Sequence, residues 1–533
     1  MNRKLIKWTR GKIDSRKSSG IWALLLVVVF VGFPATAADV FFKFALGMGS
    51  TKTARSGGVA VDAPGNIYTA IVFTGTVDVD PGPGTLELTN SGGLDLVIQK
   101  LDLQGNLVWA KTIGNGGGTD WILSHGITVD SSGNVYGTGG FGGTIDFDPG
   151  PGVANMTRAY GSGFVWKLDS DGNFVWAKAT SQFGTGYGIA VDGSGNVYTV
   201  GCFVGTVDFD PGPGTANLTE AGGNDLFIWK LDSTGTFVWA KRSGGTELDC
   251  AKSVVLDAAG NVYTAGHFRG VSDFDPGQGT VNLNSGGEAD IFVQKLDSSG
   301  NFVWAKTMGG IGNDRGFGIA VDTSSNVYTY GNFEDTVDFD AGPGVTEMTG
   351  DGIFVQKLDS TGSFLWAKSV VGARTAANPF RGSGIAVDTV GDVYMTGSFW
   401  SMVDFNPGVG TANLTSDGHT DAFVLKLDSS GNYAWVKAFS GPLQIAGTSI
   451  AVHPSGDVFT LGGFWGIVDF DPGFGTIYLD SLNMDSVFVH KLSVLPPPMP
   501  IEKTGYVFFL TGCLLLGGYM AFRGRKKISE HKS

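Results

Sequence analysis

The chain has 533 residues, 85 of them Gly and only 19 Pro, with 42% apolar and 16% charged residues. That balance excludes a disordered polyampholyte, and glycine without a three-residue period excludes collagen. The abundant aromatics (Phe 37, Trp 13, Tyr 13), set among so much Gly, point to many short strands joined by tight turns.

Residues 1–37 read as an export signal, with an uncleaved anchor as the other reading. Seven Lys/Arg precede Ile21, an apolar run covers 21–33, and Ala35-Thr36-Ala37 fits a small-residue cleavage site.

From residue 38 to 493 one unit recurs seven times. Its clearest copy runs Gly188-Ile-Ala-Val-Asp192-Gly-Ser-Gly-Asn196-Val-Tyr198, then Val207-Asp-Phe-Asp-Pro-Gly-Pro-Gly214, Lys230-Leu-Asp232 and Phe237-Val-Trp239-Ala-Lys241. The first element is anchored at Asp62, Asp130, Asp192, Asp257, Asp322, Asp388 and His453, about 65 residues apart. The last carries Trp109, Trp176, Trp239, Trp304, Trp366 and Trp435, one copy short of seven. Residues 40–47 match 302–309 in length and apolar character, with Phe42 at the Trp position. A missing last strand found at the start of the mature chain suits a closed ring, because joining first to last removes two exposed sheet edges. Short apolar or β-branched runs around Gly-bearing turns give two hairpins per unit. The expectation is therefore an all-β, seven-bladed β-propeller with four strands per ~65-residue blade. No long 3.6-residue pattern predicts a helix in this region.

The Ala-Val-Asp-x-x-Gly-Asn-Val-Tyr and Lys-Leu-Asp-x-x-Gly segments resemble those of the bacterial SBBP-type β-propeller repeat family. That resemblance implies an exported repeat protein and brings no assigned activity.

Two features single out candidate sites. The Asp-x-Asp-Pro-Gly-x-Gly element joins the second and third strands of each blade. Alternation puts Val207 and Phe209 on one face, with Asp208 and Asp210 on the other. Its copies supply Asp78, Asp80, Asp146, Asp148, Asp208, Asp210, Asp273, Asp275, Asp338, Asp340, Asp404, Asp469 and Asp471, plus Asn406. Two readings stand: carboxylates that hold calcium through clustered oxygens, or carboxylates that cap the amides of a Pro-Gly turn. No copy has the full EF-hand spacing. The second feature is a position that does not repeat, occupied by Val72, Gly140, Cys202, His267, Asn332, Ser398 or Gly463 before the Phe that ends the second strand. Together with Arg315, Arg374 and Arg381 from blade-to-blade connections, His267 and Asn332 are candidate ligand-binding residues on the long-loop face; an unconstrained position is the other reading. Cys202 and Cys250 are one possible disulfide pair, and two unpaired thiols are the alternative.

A Pro-rich linker (494–505) leads to an apolar stretch (506–522) and a basic tail (523–533). This order predicts a membrane-spanning segment with its tail in the cytoplasm and all that precedes it outside. The tail is similar to bacterial cell-surface sorting signals through Thr504-Gly505, although Pro500 stands too early for the full motif. The two ends hold twelve of the 36 basic residues and two of the 50 acidic ones, so the part between them has a net charge near −24. Such a surface is unsuited to nucleic acid and hospitable to cations.

No His-x-x-x-His, zinc-spaced Cys pair or Gly-x-Ser-x-Gly elbow is present, and carboxylate pairs repeated in every unit read as scaffold. The expected function is a non-enzymatic, envelope-anchored scaffold that binds a glycan or surface protein through its long loops. Alternatives are a glycan lyase or hydrolase at the central channel and a passive envelope component.

Overall fold

A computed structural model describes residues 40–82, 84–90, 92–114, 120–374, 384–473, 475–482 and 484–494. The expected export signal, linker, apolar stretch and basic tail lie outside these residues, as does Arg381.

Seven antiparallel sheets succeed one another along the chain, and no helix occurs among the described residues. Blade 3 is typical: Gly184–Val191, Val197–Phe203, Asp225–Leu231 and Phe237–Gly245 pair in that order. The first strand of each blade touches the first strand of the next, in a cycle that returns from blade 7 to blade 1. First strands therefore surround the ring axis. Each junction between neighbouring blades holds its own apolar cluster. This explains the local sequence: a third strand such as Leu226-Phe-Ile-Trp is covered on both faces and reads as a continuous apolar run, whereas the outer strand alternates.

The Asp-x-x-Gly-Asn turns are closed by their own side chains. Asp192 Oδ1 accepts from the amides of Ser194 and Asn196, both at 2.9 Å, while its Oδ2 accepts from Asn196 Nδ2 and the Tyr198 hydroxyl. Gly195 supplies the left-handed φ of 80° that the turn demands. The third-strand Lys and fourth-strand Trp then reach one blade further. Lys167 Nζ and Trp176 Nε1 both donate to the carbonyl of Ser233, at 3.4 and 3.1 Å.

Blade 7 is completed by the amino-terminal strand. Val40–Gly49 pairs antiparallel with Ser486–Val494, whose other edge pairs with Asp457–Phe464. Lys491 Nζ donates to Leu103 O at 3.0 Å, and His453 Nε2 lies 2.9 Å from Ala63 O, so blade 7 grips blade 1. The expected register needs one correction. Phe44, not Phe42, stands opposite Lys491, where other blades place Trp, and Met48 takes the buried position of Met308. A slip of two residues preserves the inward and outward alternation, so the pattern satisfied both registers. Burial of Met48 fits the observed one.

Candidate functional site

The Asp-Phe-Asp-Pro-Gly element is a short β-hairpin inserted between the second and third strands. In blade 3 it pairs Thr206–Asp208 with Asn217–Thr219. Val207 and Phe209 are buried as alternation predicts, and Phe209 meets Phe227 with ring centroids 5.0 Å apart. Asp208 Oδ1 accepts from the amides of Asp210 and Ala216, at 3.0 and 2.8 Å, and Asp210 Oδ1 accepts from Gly212 N at 2.8 Å. The pattern recurs at Asp78, Asp146, Asp273, Asp338, Asp404 and Asp469. The carboxylates thus serve turn geometry, spread over seven separate hairpins. Among the described residues they form no group of three or more that could hold a metal ion. The hairpin also reaches back to the preceding blade: Gly244 and Gly245 pair with Asp273 and Ser272, and Ser440 pairs with Asp469. It is a clasp between blades.

The candidate ligand residues fall into two groups. Arg315 and Asn332 are register partners on the first two strands of blade 5, and Arg315 Nε donates to Asn313 Oδ1 at 3.1 Å. His267, on the second strand of blade 4, is buried. Burial, then the positive charges of Lys252, Arg315 and Arg269, hold its imidazole far below the ordinary range, so it is neutral. Arg374 sits on a two-residue strand whose backbone pairs with Ser398. Cys202 and Cys250 form a disulfide, with Cα atoms 5.0 Å apart, that ties the second strand of blade 3 to the first of blade 4.

Three sets of residues on or near this face escaped the sequence reading. The first is a series of buried carboxylates: Asp225, Asp290 and Asp421 begin third strands, while Asp249 and Asp314 precede first strands. Burial pushes Asp249 and Asp314 up to about 7 and Asp290 up to about 6. A recurring Asp at the head of the third strand was the available signal.

The second set follows the strand-ending Phe. There Thr74, Gly142, Val204, Arg269 and Glu334 give way in blades 6 and 7 to Trp400 and Trp465, 38% and 41% exposed. Two residues on, the same blades carry Met402 and Ile467, 67% and 52% exposed. Blades 1, 2, 3 and 5 have Thr at that place, hydroxyl-bonded to a Thr across the hairpin, and blade 4 has Val271, 55% exposed. The sequence signal lay two residues beyond the variable position, on the other side of the Phe.

The third set lies on the first strands. Where all four strands of the sheet are regular, each first strand carries a β-bulge, and the extra residue is Gly57, His125, Tyr187, Lys252, Phe317 or Thr448. The fold repeats here and the chemistry does not.

No family model matches the chain. It is similar to an uncharacterized WD repeat-containing protein, L264, of Acanthamoeba polyphaga mimivirus, 26% identical over 443 residues that take in 67% of this chain and 31% of that protein. It is also similar to the regulatory protein FlaEY of Caulobacter vibrioides, 26% identical over 110 residues, 21% of this chain and 12% of that one. The chain therefore spans less than a third of the length of the curated relatives it matches. Solved proteins of unknown function from Bacteroides caccae and Dyadobacter fermentans align with TM-scores of 0.31 and 0.37 at 10% and 9% identity. They cover 64% and 85% of this chain, and 89% and 99% of their own, and alignments so loose carry no argument.

Proposed function

We propose that this propeller is a non-enzymatic binding scaffold that takes a glycan or a surface protein on its long-loop face, exported and held at the cell envelope. The observation that carries the binding role is the pairing, in blades 6 and 7, of an exposed Trp with an exposed apolar residue where four other blades have a bonded Thr. A scaffold gains nothing by replacing bonded threonines with exposed Met402 and Ile467 beside two partly exposed indoles. Exposed large apolar side chains on two successive blades are the kind of surface that interaction sites use. Flat indole faces suit the C–H faces of pyranose rings. Export and anchoring rest on the charge and hydropathy order of residues 1–37 and 506–533, and on the SBBP-type resemblance of the repeats; among the described residues no helix is long and apolar enough to cross a membrane.

A glycan array probed with the intact protein and the W400A/W465A double variant tests the reading. The expected result is saccharide binding reduced at least tenfold in the variant, with an unchanged melting temperature. Equal binding by both proteins would refute it.

One observation favours a second reading, a glycan lyase or hydrolase at the axis. His125, Tyr187 and Lys252 supply groups capable of acid–base chemistry at a single place in an otherwise repeated ring. Release of new reducing ends from any polysaccharide by the purified protein would put this reading first.

A further inference from the structure

The bulge residues of blades 2, 3 and 4 touch one another. The His125 imidazole lies 4.9 Å from the Tyr187 ring, and Lys252 Nζ stands 3.5 Å from the centroid of the same ring. All three side chains are half-buried. A bulge leaves its extra residue outside the ladder, which frees that side chain from the alternation that commits its neighbours to the blade faces. Bulges on the innermost strands consequently concentrate aromatic and cationic groups at the axis. On the other side of the ring Gly57 and Thr448 leave little bulk, and Ser56 Oγ and Thr448 Oγ1 hydrogen-bond at 2.8 Å. The aromatic and cationic contact is thus confined to the bulges of blades 2 to 4.

Charge is segregated in the same place. Acidic residues outnumber basic ones 50 to 36 in the chain, yet the described first strands contain no Asp or Glu. They do contain Arg55, His125, Lys252 and Arg315. Lys252 and Arg315 stand on the innermost strands of blades 4 and 5, which touch one another. In a protein of opposite overall sign, basic residues gathered on the innermost strands are a focus for negative charge.

We infer that the axis holds a second binding site, for an anionic oligosaccharide, in which Lys252 and Arg315 take the carboxylate or sulfate group and Tyr187 stacks on the sugar ring. The inference rests on the reading of this protein as a glycan-binding scaffold, but its residues lie on blades 3 to 5, apart from Trp400 and Trp465. An ammonium already set over an aromatic ring needs little reordering to receive an anion, and weakly hydrated guanidinium suits a planar carboxylate.

Calorimetric titration of the intact protein with trigalacturonate, a sulfated trisaccharide and neutral maltotriose tests it. The anionic sugars are expected to bind at least tenfold more tightly than maltotriose, with affinity falling as salt rises. Comparing trigalacturonate with the sulfated sugar tells which anion the site is built for, and tight binding of either supports the proposal. K252Q should weaken binding at least tenfold and K252R should restore most of it, which separates lost charge from lost folding. Y187A should weaken anionic and neutral sugars alike. Binding of polyglutamate as tight as that of the sugars, no discrimination against maltotriose, or K252Q binding like the unaltered protein would each overturn the axial site. Loss of array binding in W400A/W465A with K252Q unaffected would retire this proposal and leave the face reading standing; anionic binding that survives W400A/W465A and fails in K252Q would do the reverse.

Discussion

Asp249 offers the sharpest test of how the junctions between blades are held. Its carboxylate is wholly buried, accepting from Gly245 N at 2.6 Å and from Ser272 Oγ at 2.8 Å. Asp225 closes on the same place: a Cβ at Gly244 would lie 2.6 Å from Asp225 Oδ1 and 2.9 Å from Asp249 Oδ2. Arg242 pairs with Asp225 through Oδ2, and burial still outweighs that pairing, raising Asp225 above the usual carboxylate range. Asp249, at about 7, keeps its proton in the folded protein where the unfolded chain, near ~3.9, has lost it. Between those values the folded state binds more protons than the unfolded one, so stability falls as pH rises through that window. At ~1.36 kcal/mol for each tenfold change in proton affinity, the gap is worth roughly 4 kcal/mol once the group is ionised. A ring of roughly 450 residues has an unfolding entropy of roughly 1 kcal/mol per kelvin, so the effect on the melting temperature is about 4 °C.

Asp249→Asn removes the charge and keeps the two shorter bonds, with Oδ1 accepting from Gly245 N–H and Nδ2 donating to Ser272 Oγ, while the longer one from Arg269 N–H, at 3.4 Å, is lost at every pH. Calorimetric melting of both proteins at pH 4 and at pH 8.5 should show near-equal midpoints in acid and an advantage of about 4 °C for the variant in base. Asp290 and Asp314 titrate in both proteins and cancel from the comparison. An equal difference at the two pH values would refute the assignment of a protonated Asp249.

Three further outcomes follow from the fold. Removing residues 40–49 strips blade 7 of its outer strand and uncovers the cluster around Met48; it should abolish cooperative melting and expose the ring to protease, and an unchanged melting curve would argue against closure. Ser325, at φ 60°, occupies the left-handed turn position that Gly fills in the other blades, so Ser325→Gly should stabilise by about 0.5–1 kcal/mol in denaturant titration. Asp208→Ala leaves the amides of Asp210 and Ala216 without their acceptor and should cost about 1–2 kcal/mol, while millimolar calcium gives no heat in titration and no shift in melting if turn geometry is the whole role of these carboxylates.

Blade number, strand order and ring closure were legible because each is carried by a feature that repeats: an Asp anchor, a Gly at a left-handed turn, a Trp on the outer strand. The inserted hairpin was legible only halfway. Val-x-Phe alternation gave its buried face, but its backbone pairing to the preceding blade, as between Gly245 and Ser272, joins residues 27 positions apart that share no side-chain pattern. Asp249 looked like an ordinary loop carboxylate, since nothing local says that blades 3 and 4 will close over it. The axial residues were hidden for a different reason. Comparing copies rewards positions that agree, and His125, Tyr187 and Lys252 disagree at a bulge whose existence depends on pairing with the second strand. In a repeated fold the scaffold is written many times and the site once, so the residues most worth testing are those at which structurally equivalent positions differ while their side chains meet across blades, as Tyr187 meets His125 and Lys252.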